Sequence, residues 1–384
     1  MHFDSDFALN FNHRLRFTRN VFEPSNPLLA DTLREGGHLP GRTLVCIDSG
    51  VLEAWPNLPT MIERYAMSHP DTFSLAGPIQ RIEGGEACKN DQQLQYRLCK
   101  VIHDVQLCRQ SYLLVIGGGA VLDSVGFAAS IAHRGVRLIR MPTTTLSQDD
   151  SGVGVKNGIN AFGKKNFIGT FAVPWAVLND IEFLKTQSDR DWMAGFSEAV
   201  KVALIKDSVL FERIAAEASA IAARDLDASI PVIERSAKLH LDHITRGGDP
   251  FESTTARPLD FGHWAAHKLE QMTYFDLRHG EAVSIGIALD VVYSMLVGML
   301  HEDDMNEILD CMVALGLPIY HEAMRDFDTL IKGMDEFQEH LGGILTITLL
   351  TGIGKGVDVH EMNRDKVRQA IDELAARESV AVGV

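Results

Sequence analysis

Residues 111–127 read SYLLVIGGGAVLDSVGF, and this stretch decides the fold. A strand-sized apolar run, Leu113–Ile116, enters three glycines, Gly117, Gly118 and Gly119, and leaves them in a helix-like segment. Glycines at such a turn let the backbone come close to a pyrophosphate. The helix start then offers free N–H groups and a favourable dipole. The GxGxxG spacing is absent, so the turn on its own also reads as a plain strand-to-helix connection.

Outward from this turn, similar short runs recur at Leu44–Ile47, Val136–Met141 and Ala176–Leu178, with helical stretches between several of them. Strands that alternate with helices predict an α/β fold with a mostly parallel sheet. Near the start, Leu9, Phe11, Leu15 and Phe17 occupy alternate positions and predict a half-buried strand. After about Leu184 the texture changes. Residues 188–245, 282–316 and 361–377 carry Ala, Glu, Leu, Lys and Arg at helical spacing, and Ile344–Leu350 is the only later strand candidate. The expected architecture is a Rossmann-like, parallel-sheet α/β domain over 1–186, followed by a mainly helical domain over 187–384. A chain of 384 residues is too long for most single cores, which agrees with two domains.

Asp and Glu number 52 against 36 Lys and Arg, a net charge of -16. Nucleic-acid surfaces need a basic footprint, so that class is excluded, although a local basic pocket for phosphate is not. No apolar run reaches membrane-spanning length, and no basic segment followed by an apolar core marks a signal peptide. The expected compartment is the cytoplasm. The five cysteines, Cys46, Cys88, Cys99, Cys108 and Cys311, form no CxxC pair and read as small buried or partly buried thiols.

Several polar positions carry chemistry. Asp48 ends the first apolar strand, where an acid can hold a ribose hydroxyl or simply serve the turn. Glu86 and Lys89, in GGEACK, read alone as solvated charges. Residues 142–169, PTTTLSQDDSGVGVKNGINAFGKKNFIG, read as a long polar loop. Its Lys156, Lys164 and Lys165 offer point charges for phosphate, and Asn160 and Asn166 offer neutral donors. Arg134 precedes the loop and adds a forked donor. Glu198 in GFSEAVK, His263 in DFGHWAAH and His279 in RHGEA supply one carboxylate and two imidazoles, a set that suits a divalent metal with an open coordination position. Spacing alone does not choose the ligands. His267 shares a helical face with His263, His240 and His243 form a rival pair, and Glu198 with Lys201 reads equally as an ion pair.

Taken in order, GGGAVLD, HRGVR, PTT, DSGVGVKNGIN, GKKN, GFSEAVK, DFGH and RHGEA resemble the dehydroquinate synthase superfamily, and within it the sugar phosphate cyclases. The resemblance runs from about Leu44 to Gly354. It implies a metal triad of Glu198, His263 and His279, with zinc or cobalt as the ion. His267 falls on the family's active-site histidine, near the metal but not on it. Lys156, Asn166 and Arg134 fall on phosphate-binding positions, and the family's equivalent of Arg134 acts across a homodimer interface. Lys201 and Asp150 fall on positions that hold substrate hydroxyls. Asp48, Glu86, Lys89, Gly118, Gly119, Asp123, Thr143, Thr144 and Lys165 fall on NAD-contacting positions.

Departures from the pattern indicate the branch. Dehydroquinate synthases carry Asn where this chain has Asp260, and a late carboxylate-binding Lys where the stretch EFQEHLGG offers His340. Arg257 lies six residues before the metal histidine, against seven in those enzymes, and GVK replaces GGK. An acid in place of an amide disfavours a carboxylate substrate, by on the order of several kcal/mol in a dry site. Asp260 and His340 resemble instead the branch that cyclises sedoheptulose 7-phosphate, a phosphorylated seven-carbon sugar, to valiolone-type cyclitols. Many 2-epi-5-epi-valiolone synthases lack a histidine at the position of His267, which this chain keeps. The resemblance implies a redox-neutral lyase: transient oxidation by tightly held NAD, phosphate elimination, re-reduction and intramolecular aldol closure. Lys201, His267, Asp260, Asp150 and Lys156 are its expected catalytic side chains. The alternatives are 3-dehydroquinate synthase itself and a metal-dependent alcohol or glycerol dehydrogenase. The latter usually place Lys three residues after the acid of the GGG motif, where this chain has Gly126. A catalytically dead scaffold is a further class, but every ligand position is filled.

Overall fold

The computed structural model describes residues 2–6, 8–162, 164–247, 251, 258–340 and 343–381. The chain divides into two compact units, Met1–Thr143 with Gly152–Thr186, and Thr144–Ser151 with Gln187–Val384.

The first unit is built on a parallel sheet. Its strands are β1 (Leu15–Thr18), β2 (Gly41–Asp48), β3 (Phe73–Leu75), β4 (Gln80–Ile82), β5 (Tyr112–Gly117), β6 (Arg137–Pro142) and β9 (Ala176–Asp180); β7 (Lys156–Ala161) and β8 (Lys164–Phe171) form a separate hairpin. The sheet order is β1-β9-β6-β5-β2-β3, with β4 also on β2. Both β3 and β4 pair with β2, the first at Gly41–Thr43 and the second at Cys46–Asp48. The apolar runs are continuous because both faces of the sheet are covered. Val45, Ile47, Leu114, Ile116, Ile139, Met141 and Leu178 pack into one core layer, whereas Leu44, Cys46, Leu113, Val115 and Leu138 pack into the other. The helix Gly119–Ile131 lies on the second layer through Val121, Leu122, Val125 and Ala128.

Two expectations are corrected here. The N-terminal strand is only Leu15–Thr18, paired with Val177–Asp180 of β9, and Leu9 and Phe11 are exposed. Their alternation finds no partner strand among the described residues. The segment 142–169 is not a structureless loop either. It contains a π-helical turn, Ser147–Ser151, and the β7–β8 hairpin, in which Gly158 faces Gly169. The glycines that suggested a loop let two strands meet, since a Cβ on Gly169 would come within 2.8 Å of the Asn157 carbonyl oxygen.

The second unit is mainly helical. Its long helices are Asp189–Lys206, Ser208–Ala222, Leu226–Arg246, His263–Met272, His279–Leu296, Glu302–Ala314 and Arg364–Ala381. Ser188, Asp207 and Asp225 cap the first three by accepting backbone N–H bonds, which fixes where each begins. β10 (Ile347–Gly352) pairs with β11 (Lys355–Val359), so the single late strand read from the sequence has a partner. The strip Thr144–Ser151 groups with this unit, which modifies a division at 186/187. The Thr145 hydroxyl donates to the Trp192 carbonyl at 2.9 Å, over Gly195, where any Cβ would overlap it. No helix among the described residues is long and apolar enough to cross a membrane. All five cysteines are free, and Cys108 is exposed rather than buried.

Candidate metal centre and dinucleotide cradle

In the helical unit, Glu198 sits on the helix Asp189–Lys206 and is buried. His263 and His279 are each the first residue of a helix. The turn before His263 is fixed by Gly262 at φ 78°, where a Cβ would come within 2.7 Å of the Ile287 nitrogen. The buried Asp290 carboxylate accepts the Gly262 N–H at 3.1 Å and the Trp264 indole N–H at 2.9 Å. Gly280, next to His279, lies against the Ala194 carbonyl with no room for a side chain.

Ligand atoms of Glu198, His263 and His279 all lie within 4.8 Å of one another. The Nε2 atoms of His263 and His279 approach Glu198 Oε1 at 3.6 and 3.5 Å. The other ring nitrogens are held elsewhere: His263 Nδ1 donates to the Phe261 carbonyl at 3.1 Å, and His279 Nδ1 stands 3.4 Å from Glu270 Oε2. That arrangement turns both Nε2 lone pairs towards the acid, as metal-bound imidazoles are usually held. Burial pushes His263 well below the usual histidine range, with help from Lys201, His267 and His279, so it is a neutral imidazole. Burial alone would raise the Glu198 pKa. The Lys201 ammonium and His279 outweigh it and hold the carboxyl at about 2. Neither Glu198 oxygen makes a well-formed hydrogen bond among the described residues. A buried, ionised acceptor facing the Nε2 atoms of two imidazoles fits a divalent cation with N and O ligands. His267, Glu270 and His279 form a second such group, but there Glu270 already steadies the His279 ring.

Around this centre, Lys201 is buried and ion-paired to Glu198. Burial lowers its proton affinity, but Glu198 and Asp150 more than reverse this, so it stays charged. His267 is exposed, with its ring 6.0 Å from that of His279 and roughly stacked on it. Asp260 ends the turn Pro258–Asp260, half-buried and close enough to add to the field on Lys201. Asp150 lies in the π-helical turn with His240 Nδ1 2.7 Å from its Oδ1. His243, the other member of the rival pair, faces Lys206 instead, at 3.0 Å. Arg257 lies outside the described residues, as does the side chain of His340.

The first unit collects the residues read as NAD-contacting. Gly118 caps the helix Gly119–Ile131 at the end of β5. Asp48 ends β2 beside this turn. Its Oδ1 accepts the Gly50 N–H at 2.8 Å, so it also serves as a local helix cap, and burial raises its pKa. Glu86 and Lys89 are not solvated charges. Lys89 is buried, pairs with Asp123 at 2.8 Å and donates to the Asn166 amide oxygen. Asn160 donates to Glu86 at 3.0 Å and accepts the Asn166 N–H at 2.9 Å, and Lys165 lies 4.0 Å from Glu86. One polar network thus ties GGEACK to the lysine hairpin. The Thr143 N–H donates to the Gly117 carbonyl at 3.1 Å; Thr144, at the start of the other unit, shares its hydroxyl with Ser147 at 2.8 Å. Lys156 opens β7 and is exposed. Arg134 is exposed at φ 63° and is joined to none of the other named residues by an ion pair or hydrogen bond among the described residues.

Sequence reasoning missed Arg140, although a lone Arg inside an apolar strand was a visible signal. Its buried guanidinium donates to the carbonyls of Gly152, Gly154 and Lys156 at 2.8–3.1 Å and to Asn157 Oδ1 at 2.7 Å. It therefore fixes the backbone that carries Lys156. Asn157 in turn fills the space above Gly126, where any Cβ would overlap its amide oxygen. Replacing Arg140 with Met leaves these acceptors without their buried donor. Urea unfolding should show a loss of about 3 kcal/mol; a change under about 0.5 kcal/mol, the range of a neutral surface substitution, would refute the role.

The comparisons agree with this architecture. The model for the 3-dehydroquinate synthase N-terminal domain matches residues 79–194, and that for the C-terminal domain matches 195–338. A 2-epi-5-epi-valiolone synthase from Streptomyces glaucescens is 31% identical over 94% of this chain and 91% of its own. A 3-dehydroquinate synthase from Jannaschia sp. is 34% identical over 80% of this chain and 84% of its own. The structure of ValA, a 2-epi-5-epi-valiolone synthase from Streptomyces hygroscopicus subsp. jinggangensis with NAD+ and Zn2+ bound, superposes with a TM-score of 0.87 at 28% identity, covering 98% of this chain and 100% of that one. The chain belongs to the 3-dehydroquinate synthase family and is an enzyme of its sugar phosphate cyclase group.

Proposed function

We propose that this protein is an NAD- and metal-dependent sugar phosphate cyclase that converts sedoheptulose 7-phosphate to a valiolone-type C7 cyclitol with release of phosphate. The observation that carries the substrate choice is Asp260, an acid beside Lys201 where a carboxylate-binding enzyme of the family has an amide. It would repel a substrate carboxylate and accept a hydrogen bond from a hydroxymethyl group.

In this reading Glu198, His263 and His279 hold the metal. Asp48, Glu86, Lys89, Gly118, Gly119, Asp123, Thr143, Thr144 and Lys165 cradle the dinucleotide. When bound, the metal supplies a Lewis acid for substrate oxygens and NAD a reversible hydride acceptor. The rest is positioning by the chain's own groups. Lys201, kept charged by Glu198 and Asp150, donates to a substrate hydroxyl, and Asp150 accepts from one. Lys156, Arg134 and the amide N–H groups of Asn166 bind the phosphate as a point charge, a fork and a neutral donor. His267, exposed beside the candidate metal ligands, moves the proton, since an imidazole ring can both donate and accept one. The reading includes a homodimer.

A second reading, 3-dehydroquinate synthase, is favoured by relatives of that name at 33–34% identity. One experiment separates the two. Metal-loaded protein with NAD is given sedoheptulose 7-phosphate or the heptulosonate 7-phosphate substrate, and released phosphate is measured. Release from the first alone, with a valiolone-type product by NMR, is the expected result. Release from the second alone would transfer the protein to the other reading.

A further inference from the structure

Of the three candidate metal ligands, His279 is the least enclosed. Its side chain is 31% exposed, against 10% for His263 and 1% for Glu198. It is also the first residue of the helix His279–Leu296, a position whose N–H has no acceptor within the helix. Glu270 meets its ring at 3.4 Å, which is long for a hydrogen bond. The backbone on either side of it is held by Arg190, on the same helix as Glu198. Arg190 Nε and Nη2 donate to Glu281 Oε1 and Oε2 at 2.6 and 2.7 Å, and Nη2 donates again to the Asp276 carbonyl at 2.7 Å. One guanidinium therefore grips the chain three residues before His279 and two residues after it. The Glu281 side chain is 14% exposed, and its Oε2 also accepts the Arg278 N–H at 2.9 Å, which closes the turn. Arg278 in turn pairs with Asp191, the neighbour of Arg190, and Gly280 lies against the Ala194 carbonyl. All these contacts except the bond within the turn join the chain around His279 to the opening turns of the helix that carries Glu198. An acid in the first turn of a helix is favourable by itself, which accounts for Glu281 but not for Arg190.

We infer that Arg190 is a positioning residue for the metal centre: its fork on Glu281 and its bond to the Asp276 carbonyl fix the backbone of His279, and so the place of that imidazole relative to Glu198. This rests on the reading of Glu198, His263 and His279 as metal ligands, but the clamp itself does not. Arg190 acts through Glu281 and the turn rather than on the ion. A planar guanidinium holds a carboxylate in one plane and one register, which a lysine ammonium at the same position does not. Without it, the half-exposed imidazole would swing from a looser turn, and a cation needs all three ligands in place at once.

The test uses Arg190→Met, Arg190→Lys, Glu281→Gln and the double variant Arg190→Met with Glu281→Gln. Zinc affinity is measured by competition with a chromophoric chelator, ligand geometry by the visible absorption of cobalt-loaded protein, and Tm on metal-free protein. Arg190→Met should bind zinc about tenfold to a hundredfold more weakly, with altered cobalt bands. Arg190→Lys returns the charge without the fork and should recover only part of the loss. The double variant should be no worse than the weaker-binding single variant, since the two residues form one clamp. A clamp that served folding alone would lower the metal-free Tm and leave zinc affinity and cobalt bands as in the parent. Arg190→Met within twofold of the parent in zinc affinity with unchanged bands, or additive losses in the double variant, would overturn the inference. If Arg190→Met does not fold, Arg190→Lys decides by the same two readouts, and parent-like affinity and bands there overturn it. A parent that binds neither zinc nor cobalt would remove the metal-centre reading and this inference with it. A parent whose metal affinity depends on Arg190 but which releases phosphate from neither sugar would remove the substrate reading alone.

Discussion

Protein carrying Glu198→Ala should bind no metal and release no phosphate. Glu198 is the sole carboxylate in the buried cluster with His263 and His279, and the two imidazoles that remain leave a cation with too few ligands. A second loss follows from Lys201. That ammonium is 3% exposed and is ion-paired to Glu198, so removing the acid strands a buried charge. Breaking a buried pair from one side costs about 3–5 kcal/mol. Glu198→Gln separates the two effects. It keeps the volume and a carbonyl acceptor for Lys201 but gives up the charge that holds the metal, so it should be nearly as inactive while closer to the parent in Tm. Metal content by elemental analysis and phosphate release by assay check both variants. Full turnover of Glu198→Ala at trace metal would refute the assignment of the cation to this cluster.

The second large effect is at Asp290. Burial pushes this carboxyl up to about 7, against the bonds from Trp264 and Gly262 that favour the charged form. In an unfolded chain an aspartate titrates near about 4. The folded state therefore holds a proton that the unfolded state has released. The stability this contributes is complete below about pH 4 and is lost as pH rises through about 7. The shift corresponds to on the order of 4 kcal/mol. Asp290→Asn should flatten the fall in unfolding free energy over that window, measured by urea titration at several pH values. Parallel curves for parent and variant would show that Asp290 does not carry the slope. Asp290→Ala should do more. It leaves two buried N–H donors unmatched, at about 1–3 kcal/mol each. It also releases the turn that presents His263, for which loss of an outer-shell partner predicts metal affinity weakened by about 10- to 100-fold.

The sheet of the first unit is legible in the sequence because its strands are buried on both faces. Runs such as Leu113–Ile116 are then apolar at every position and stand out without alternation. The weaker signal, alternation at Leu9 to Phe17, misleads because a strand exists only where another strand receives it, and β9 receives just Leu15–Thr18. The β7–β8 hairpin is hidden by its composition, since Gly158 and Gly169 look like loop residues until they face one another. At the candidate metal centre, motif order points to the ligands where spacing does not. His267 shares the helical face of His263, and what distinguishes the rings is tertiary: the Phe261 carbonyl and the Glu270 carboxylate turn two particular Nε2 atoms towards Glu198. Arg140 shows only as a lone charge in an apolar strand, and Asp290 owes its role to partners at 262 and 264, distant in the chain, so no local pattern reveals what either holds.

The arrangement of Gly126, Asn157 and Arg140 limits how this scaffold can change. A side chain at 126 collides with the Asn157 amide, which Arg140 holds in place. A larger residue at 126 is therefore accommodated only where position 157 gives way, and position 157 is itself tied to the buried Arg140 donor.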